Sequence, residues 1–415
     1  MKQQRIAVLG GGIMGCSTAI LLAREGQSVT LFDAGHAPFG AASRWNEGKI
    51  HLGFLYSADP TLETARKVIP GGLMFKPLVE ELTGCSVDPV VTRDDDIFLC
   101  HRDSVVSAQA MEAYFHEVAQ LVASNPRAGR YLADVSRCRV ERLNAQQLGA
   151  ITDSPAIVAG FRIPERSVST NWLADRFIDA MAAERHIEPR MRTRVIAVGP
   201  VTAGDHDGPW RVETDAGVTG PFDWVVNALW QGRMAIDITA GISPVSDWSN
   251  RYRMALFVRT TRPVNLPSTV IATGPFGDIK NYNNRDFYLS WYPLGLRVDT
   301  SAVEPSTPAP IEMHAESQLI AAMFEQLQAL LPETRRIREH TEQVSLAGGW
   351  VHAAGHGVLS DPASTLHRRS DFGISRSGRY VSVDTGKYST APWLAQRLVN
   401  ELTTASRPWR AYDAQ

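Results

Sequence analysis

The sequence is short of cysteine, of net charge and of long apolar runs. Its 415 residues include four cysteines, Cys16, Cys85, Cys100 and Cys138, with no CxxC pair. This spacing argues against a structural zinc site and against a disulfide framework, and it favours reduced thiols. The formal net charge of −2 gives no electrostatic reason to expect nucleic acid or an anionic membrane surface as a partner.

No apolar stretch approaches the roughly 18 residues that a membrane-spanning helix needs. The N-terminus, MKQQR followed by IAVLGGGIMGCSTAILLA, has the basic-then-apolar outline of a secretory signal. Glycines at positions 10, 11, 12 and 15 divide that run, however, into a strand, a turn and a helix. We therefore expect a soluble, cytoplasmic protein without a transmembrane segment.

The length suits two domains of one enzyme, and neither an internal repeat nor a low-complexity linker separates them. Residues 5–9 and 28–32 are apolar runs typical of strands, with helical spacing between them, which predicts a parallel strand-helix-strand unit. Strands of antiparallel character follow residue 251. The chain therefore leaves the first domain and returns to it. We predict a nucleotide-binding domain of residues 1–60, 150–235 and 345–415, and a substrate domain of residues 61–149 and 236–344.

Three further segments have a helical pattern. Residues 103–124 and 314–331 each predict one long helix. Residues 61–84 predict a helix that is interrupted at Pro70, Gly71 and Gly72, because proline and glycine weaken a helix interior.

GGGIMG supplies the dinucleotide fingerprint Gly10-x-Gly12-x-x-Gly15. Gly10 permits a sharp turn, Gly12 lets the backbone approach a pyrophosphate, and Gly15 lets the helix pack against the sheet. The helix start at Ile13 and Met14 would direct free N–H groups at the phosphates. Asp33, followed by Ala34 at the end of the second strand, is placed to accept hydrogen bonds from ribose hydroxyls. The fingerprint alone does not separate NAD from FAD.

A second motif, GAASRWNEGKIHLG (40–53), carries Gly40, Ser43, Asn46 and Gly48. Together with the N-terminal unit, it resembles the FAD-dependent D-amino-acid oxidase superfamily, whose members include glycine oxidases, sarcosine oxidases, D-amino-acid dehydrogenases and glycerol-3-phosphate dehydrogenases. The resemblance implies an α/β fold with a Rossmann-like FAD-binding domain of the glutathione-reductase type and an interleaved antiparallel-sheet substrate domain. It also implies that residues 40–53 pass the pyrophosphate and run beneath the isoalloxazine ring.

The resemblance extends to three later segments. RVIAV (194–198) is similar to a strand that contacts adenine, FDWVVNALWQG (222–232) to a third FAD-contacting strand, and TGKYSTAPWLA (385–395) to the flavin-binding turn before the closing helix. The cofactor residues implied there are Val195, Ala228, Gly386, Lys387, Tyr388 and Ser389. The chain departs from the family at Leu229-Trp230, where glycine commonly precedes tryptophan. Asn46 stands within the segment that carries the flavin-linked histidine in some relatives, so we expect non-covalent FAD.

The polar residues of the second motif match the chemistry of a flavin nucleotide. Ser43 and Asn46 can donate to the pyrophosphate or ribityl chain, and Arg44 can pair with phosphate. Lys49 and His51 would then emerge near the reactive face, unless both are solvated loop residues. In the C-terminal turn, a cation at Lys387 would favour hydride acceptance at N5 by stabilising the anionic reduced ring.

Two further residues are candidates for contact with substrate. Alternation in RYRMALFVR (251–259) puts Arg253 on one face of a strand, where it can clamp a carboxylate or belong to a salt-bridged sheet surface. His356, between two glycines, can act as a base or be structural. The predicted catalytic set is Lys49, His51, Arg253 and His356.

Three functions stay open at this point. The first is FAD-dependent oxidation of a small amine or amino acid, in which hydride passes from the substrate C–H to flavin N5 and leaves an imine. The second is oxidation of a hydroxy acid or polyol phosphate, which requires a base such as His51 or His356. The third is a non-catalytic FAD-binding module. For the enzymes, the electron acceptor would be oxygen, a quinone or a protein.

Overall fold

The computed structural model describes residues 3–244 and 247–403, and it combines parallel and antiparallel sheets with helices. The strands are β1 (Arg5–Leu9), β2 (Ser28–Phe32), β3 (Lys49–Ile50), β4 (Asp96–His101), β5 (Glu141–Arg142), β6 (Ile157–Ile163), β7 (Arg166–Ser167), β8 (Ile187–Arg190), β9 (Val195–Pro200), β10 (Trp210–Thr214), β11 (Gly217–Phe222), β12 (Trp224–Asn227), β13 (Trp248–Thr260), β14 (Thr269–Ala272), β15 (Gly277–Asn281), β16 (Asp286–Trp291), β17 (Leu296–Thr300), β18 (Thr341–Ala354), β19 (Gly373–Ser377) and β20 (Tyr380–Asp384).

The helices lie mostly between or beside these strands. They are α1 (Ile13–Arg24), α2 (Glu63–Thr83), α3 (Ala108–Ala123), α4 (Ala145–Gly149), α5 (Thr170–Ala183), α6 (Arg233–Thr239), α7 (Tyr292–Gly295), α8 (Met313–Leu330), α9 (Arg335–Glu339) and α10 (Ala391–Thr403). In the part of the chain that the structure describes, no helix combines the length and the apolar character that a membrane span requires.

A six-stranded sheet has the order β19-β20-β12-β1-β2-β8, and its central strands run parallel. Four of the five residues of β1 and all of β12 are buried, which is typical of strands covered by helices on both faces. Helix α1 packs against α10 and α5, and their apolar side chains form one core with the sheet. The carboxyl ends of β1, β2 and β12 consequently lie at the same edge, where nucleotides bind in such sheets.

A nine-stranded sheet forms the other half of the molecule, in the order β17-β13-β16-β15-β14-β4-β6-β5, with β18 on the free side of β13. Leu256 and Val258 of β13 are buried in a core with Phe324 and Leu327 of α8. Since neighbouring residues of a strand point to opposite faces, the odd-numbered Arg251 and Arg253 face away from that helix. This alternation directs the two arginines toward the first sheet.

The prediction that residues 61–84 form an interrupted helix is wrong, because α2 continues from Glu63 to Thr83 through Pro70 and Pro77. Tertiary packing accounts for the glycines. A Cβ on Gly71 would lie 2.8 Å from Thr390, and one on Gly72 would lie 2.1 Å from the His51 carbonyl oxygen. The glycines therefore permit close packing of α2.

The helices predicted at 103–124 and 314–331 are confirmed as α3 and α8. The predicted domain division stays a prediction, and two of its boundaries differ from the pairing of the strands. β6 and β18 both pair within the nine-stranded sheet, whereas divisions at 150 and 345 place β6 and most of β18 in the nucleotide-binding domain. Residues 404–415 of that predicted domain lie outside the described residues.

Candidate active site

The N-terminal turn leaves space where a phosphate chain would pass. Gly10 has a φ of +101°, and a Cβ on Gly15 would lie 1.8 Å from the Gly10 carbonyl oxygen. A Cβ on Gly12 would meet the Ser43 Oγ at 2.9 Å, and Gly12 caps α1 without a side-chain hydrogen bond. The first turn of α1 thus faces a glycine cradle that fits a pyrophosphate, although the Ile13 N–H that was predicted to be free donates to the Ser43 Oγ.

Asp33 follows β2 at the same edge of the sheet. Its Oδ2 accepts a hydrogen bond from the Gly11 N–H at 2.6 Å, and its Oδ1 accepts one from the Gly35 N–H at 2.6 Å. Each carboxylate oxygen has a second lone pair for a hydroxyl group. Since the glycine cradle and this carboxylate lie together, the residues present fit an adenine dinucleotide.

The loop of residues 40–53 is fixed by its own side chains. Ser43 Oγ accepts from the Ile13 N–H at 3.0 Å, while Asn46 accepts from the Gly48 N–H and donates to the Ala42 carbonyl, both at 2.8 Å. A Cβ on Gly48, whose φ is +65°, would lie 1.9 Å from the Val168 carbonyl oxygen. These bonds bring the loop against the start of α1.

Other predicted cofactor residues lie around this loop with partners of their own. Arg44 pairs with Asp175 of α5 at 2.8 Å, so its guanidinium already has an acidic partner. Ala228 donates its N–H to the Leu9 carbonyl at 2.8 Å, beside the N-terminal turn, and Val195 begins β9. Their contacts with a cofactor stay predictions.

A cavity of about 180 Å³ lies between β13 and β15 of the large sheet and the turn before α10. Its polar lining is dominated by cations: Lys49, Arg251, Arg253, Arg369 and Lys387, with Glu47, Asp278, Tyr56, Tyr292, Thr273 and His367. Two of the four predicted catalytic residues, Lys49 and Arg253, line it, and so does Lys387. His51 and His356 do not.

Lys387 reaches the cavity from a tight turn between β20 and α10. Gly386 has a φ of +61°, and its N–H donates to Asp384 at 2.8 Å. The Lys387 Nζ lies 5.3 Å from the centre of the Tyr56 ring. Burial and the neighbouring Arg369 lower the pKa of Lys387 to about 7. The amine consequently changes charge within the physiological pH range.

The next two residues of that turn face inward. The Tyr388 ring packs 5.8 Å from the ring of Phe75 on α2, and Ser389 is fully buried. They hold the start of α10 against α2.

Arg251 and Arg253 extend from β13 and share Tyr292 as a neighbour. Arg251 Nη1 donates to the Tyr292 hydroxyl at 2.9 Å, and the Arg253 guanidinium lies 4.4 Å from the centre of the Tyr292 ring. Arg253 also donates to Ser290 Oγ at 2.8 Å. In the described parts of the chain, no ion pair joins either arginine to a carboxylate, although Asp278 and Glu47 stabilise the charge of Arg253 from a greater distance. Their hydrogen bonds and ring contacts are thus with neutral groups.

A buried ion cluster lies at the other end of the cavity. Asp96 pairs with Lys49 and, at 2.7 Å, with Lys280, while Glu165 lies 3.5 Å from Lys49. Burial opposes the charge on Lys49, but Asp96 and Glu165 raise its pKa above the usual value. Burial, by contrast, raises the pKa of Glu165. Lys49 is therefore a charged member of this cluster, and its charge is compensated.

The two predicted histidines differ in environment. His51 is buried, its ring lies 5.8 Å from that of Tyr56, and its Nδ1 has no hydrogen-bond partner among the described residues. Burial and the neighbouring Lys387 and Lys49 lower the pKa of His51 well below its usual value. His356 is 68% exposed and lies 3.0 Å from Asp247. Neither lines the cavity, and their roles stay predictions.

Sequence reasoning missed several cavity residues. Arg369 follows a loop after β18, and Asp278 lies on β15. Asp96 and Lys280 of the neighbouring ion cluster, which do not line the cavity, meet across 184 residues of chain. No local motif surrounds any of them. Glu47 was within reach, since it belongs to the polar segment at 40–53.

Comparison with known proteins identifies the architecture. The family model of the FAD dependent oxidoreductases (DAO) matches residues 5–364. A comparison with curated protein sequences finds no match.

Solved structures of similar fold are numerous. Glycine oxidase from Geobacillus kaustophilus superposes with a TM-score of 0.68 at 15% identity, over 99% of this chain and 97% of that one. L-amino acid deaminase from Proteus vulgaris gives 0.67 at 13% identity, over 100% and 96%. L-α-glycerophosphate oxidase from Mycoplasma pneumoniae, solved with FAD bound, gives 0.63 at 16% identity, over 99% and 96%. At these identities the likeness concerns the fold.

Proposed function

The chain belongs to the DAO family of FAD-dependent oxidoreductases, and from that premise we propose that it oxidises the amine of an amino acid. The observation that carries the proposal is the charge pattern of the cavity. Guanidinium groups that form no ion pair among the described residues and two carboxylates, Glu47 and Asp278, line the same space. A zwitterion presents the complementary pair of charges, a carboxylate and an ammonium group.

The cationic side would bind the substrate carboxylate. Arg253 is fixed by Ser290 and by the Tyr292 ring, so its planar guanidinium is oriented before substrate arrives. Two parallel hydrogen bonds from a guanidinium to a carboxylate define an orientation as well as an affinity. We assign this role to Arg253.

The acidic side would receive the ammonium group. Burial and the neighbouring Glu47 raise the pKa of Asp278 to about 6, which suits a group that accepts a proton near neutral pH. Removing that proton leaves the neutral amine that oxidation requires. We assign Glu47 to holding the ammonium group and Asp278 to accepting its proton.

Bound FAD supplies the hydride acceptor at N5. The glycine cradle and Asp33 would hold its adenine dinucleotide half, and Lys387 at the C-terminal turn would stabilise negative charge at the ring. The absence of a linking histidine at position 46 supports non-covalent binding.

Oxidation of a hydroxy acid or polyol phosphate is the alternative. It requires a base for the hydroxyl proton. Within the described residues, neither of the histidines predicted for that role lines the cavity, whereas His367 and Asp278 do. The paired cationic and acidic lining, and not the lack of a base, favours the amine.

Anaerobic reduction of the flavin tests the proposal. The FAD-loaded enzyme is mixed with amino acids of both configurations, simple amines, hydroxy acids and polyol phosphates, and loss of the oxidised flavin absorbance is followed. We expect amino acids to bleach the flavin and to yield ammonia and an oxo acid after the imine hydrolyses. Bleaching by hydroxy acids or polyol phosphates alone would overturn the assignment.

A further inference from the structure

We propose that the substrate carries a second anionic group, a carboxylate or a phosphate, in addition to the carboxylate of the amino acid. This inference rests on the proposed function, because it concerns the same cavity. It follows from the number and arrangement of the cations there. Arg251 and Arg369 are left over once Arg253 is assigned to the amino-acid carboxylate and Lys387 to the flavin ring.

Arg251 is the stronger observation of the two. Its side chain is 4% exposed, its Nη1 is bonded to the Tyr292 hydroxyl at 2.9 Å, and its Nε has no hydrogen-bond partner within the described chain. A buried guanidinium that meets only a neutral hydroxyl is costly unless a ligand supplies the missing acceptor. Since Arg251 lines the cavity, that acceptor can come from a bound molecule.

Arg369 approaches the same space from the loop after β18. One of its Nη atoms donates to the His352 carbonyl oxygen at 3.3 Å. Burial and the neighbouring Arg251 lower the pKa of Arg369 to about 10. Asp384 stabilises the charge of Arg369, yet it makes its own ion pair with Arg233 at 3.2 Å. Arg251 and Arg369 therefore repel each other, and the carboxylate of Asp384 that stabilises Arg369 is shared with Arg233.

The acids of the cavity lie toward the other end. Asp278 and Glu47 both stabilise the charge of Arg253, and Asp278 also lies near the compensated Lys49 and Lys280. The largest influences of neighbouring groups on the charge of Arg369 come from Arg251, Tyr56, Asp384 and Tyr292. Arg253 with its two carboxylates thus suits an amino-acid group, whereas Arg251 and Arg369 suit a separate anion.

A dianion fits this division better than a monoanion. A single carboxylate can accept one bidentate guanidinium with few lone pairs remaining. It would leave at least one of the buried guanidinium groups without an anionic partner. A side chain that ends in a carboxylate or a phosphate would satisfy both ends at once.

Ligand binding to the FAD-loaded enzyme tests the inference without turnover. Malonate, succinate, phosphonoacetate and the monoanion propionate are each titrated into the enzyme at neutral pH. Calorimetry gives a dissociation constant for each compound. Charge-assisted bonds to an additional guanidinium predict binding of a dianion about 10- to 100-fold tighter than that of propionate. A preference for the dicarboxylates identifies a second carboxylate, and a preference for phosphonoacetate identifies a phosphate. Equal binding of monoanions and dianions would overturn the inference.

A matched pair of variants adds a second arm. Arg369→Met should remove most of the preference for dianions, whereas Arg368→Met, at the exposed neighbouring position, should retain it. If both variants keep the full preference, the assignment to this end of the cavity is wrong.

The same enzyme separates this inference from the proposed function. Flavin reduction by aspartate, glutamate and phosphoserine is compared with reduction by alanine and serine. Faster reduction by aspartate, glutamate or phosphoserine supports both the proposed function and the second anionic group. If alanine and serine reduce the flavin equally fast, the proposed function stands, and the inference of a second anionic group is wrong. If no amino acid reduces the flavin, the proposed function fails, and the calorimetric comparison still decides on the dianion.

Discussion

Arg251 of the large sheet donates a hydrogen bond of 2.9 Å to the hydroxyl of Tyr292, and this pair forms one wall of the cavity. The opposite wall comes from the turn that carries Lys387, at the edge of the nucleotide-binding sheet. Two separate sheets therefore contribute cations to one space. This arrangement links the predicted FAD site to the predicted substrate site, and the following predictions test it.

The glycine cradle predicts a specific effect on FAD binding. Gly12→Ala places a methyl group where the pyrophosphate would pass, but inside the protein it meets only the Ser43 hydroxyl at 2.9 Å. We expect the variant to fold and to bind FAD about tenfold or more weakly, a loss of at least ~1.4 kcal/mol. Gly149→Ala is the control, because nothing lies within 4 Å of its added Cβ. Titration of the apoprotein with FAD measures the FAD affinity of both variants. Equal affinities would contradict the proposal that the pyrophosphate passes Gly12.

Arg253 should determine the affinity for the substrate carboxylate. Replacing it with methionine removes a charge-assisted pair, so we expect the dissociation constant of the substrate to rise about 10- to 100-fold. Arg259→Met is the matched control on the same strand, since Arg259 is 53% exposed and pairs with Asp286 at the surface. Rapid-mixing measurements of flavin reduction at varied substrate concentration give the dissociation constant of the substrate for each of the two variants. A normal dissociation constant in Arg253→Met would rule out the clamp.

Lys387 should make anion binding depend on pH. Because the pKa of Lys387 is about 7, its positive charge is present below that pH and lost above it. The dissociation constant of succinate should therefore rise as the pH increases through 7, by up to about tenfold per unit. Arg369, whose pKa is about 10, keeps its charge over this range and contributes to the remaining affinity.

Two variants separate the contributions to this pH dependence. Asp278, whose pKa is about 6, also weakens anion binding as it ionises, and Asp278→Asn removes that part. Lys387→Met should flatten the dependence above pH 7. A wild-type profile that Lys387→Met leaves unchanged would assign the effect to another group.

The buried cluster around Asp96 should contribute to stability. Asp96→Asn leaves Lys49 and Lys280, which are both buried, without their shared carboxylate. Removing one partner of a buried ion pair costs about 3–5 kcal/mol in the free energy of unfolding. Asp88→Asn breaks the exposed pair with Lys76 and should cost less than about 1 kcal/mol. Denaturant unfolding of both variants checks this, and similar losses would contradict a structural role for the cluster.

His356 should not take part in the reaction. It is exposed, pairs with Asp247 and does not line the cavity. We expect His356→Ala to reduce its flavin at the wild-type rate with an amino-acid substrate. A strong loss of rate with intact FAD binding would show that His356 takes part in the reaction.

Local patterns predicted the elements whose structure is determined locally. The strand-turn-helix at residues 5–33 has its glycines and its acid within one continuous segment, and helix α8 was found within one residue at each end. Helix α2 was wrongly predicted to be interrupted, because the close packing of Gly71 against Thr390 is a tertiary contact. Sequence spacing does not report such contacts.

The candidate site was predicted unevenly for the same reason. Lys49 and Lys387 lie in motifs that resemble family segments, so the sequence indicated them. Arg369 and Asp278 enter the cavity because a loop and a strand of the large sheet are brought there by long-range pairing. His356 was selected from its glycine-rich surroundings, which the structure places at the surface.

The central claim is that FAD held by the N-terminal cradle adjoins the cationic cavity. The most direct measurement is the absorbance spectrum of the FAD-loaded enzyme during titration with succinate, with calorimetry on the same sample. Our account predicts that the flavin bands shift in parallel with binding, and that Arg369→Met weakens both signals together. Binding of succinate that leaves the flavin spectrum unchanged would show that the cavity and the flavin are separate, and it would contradict the account.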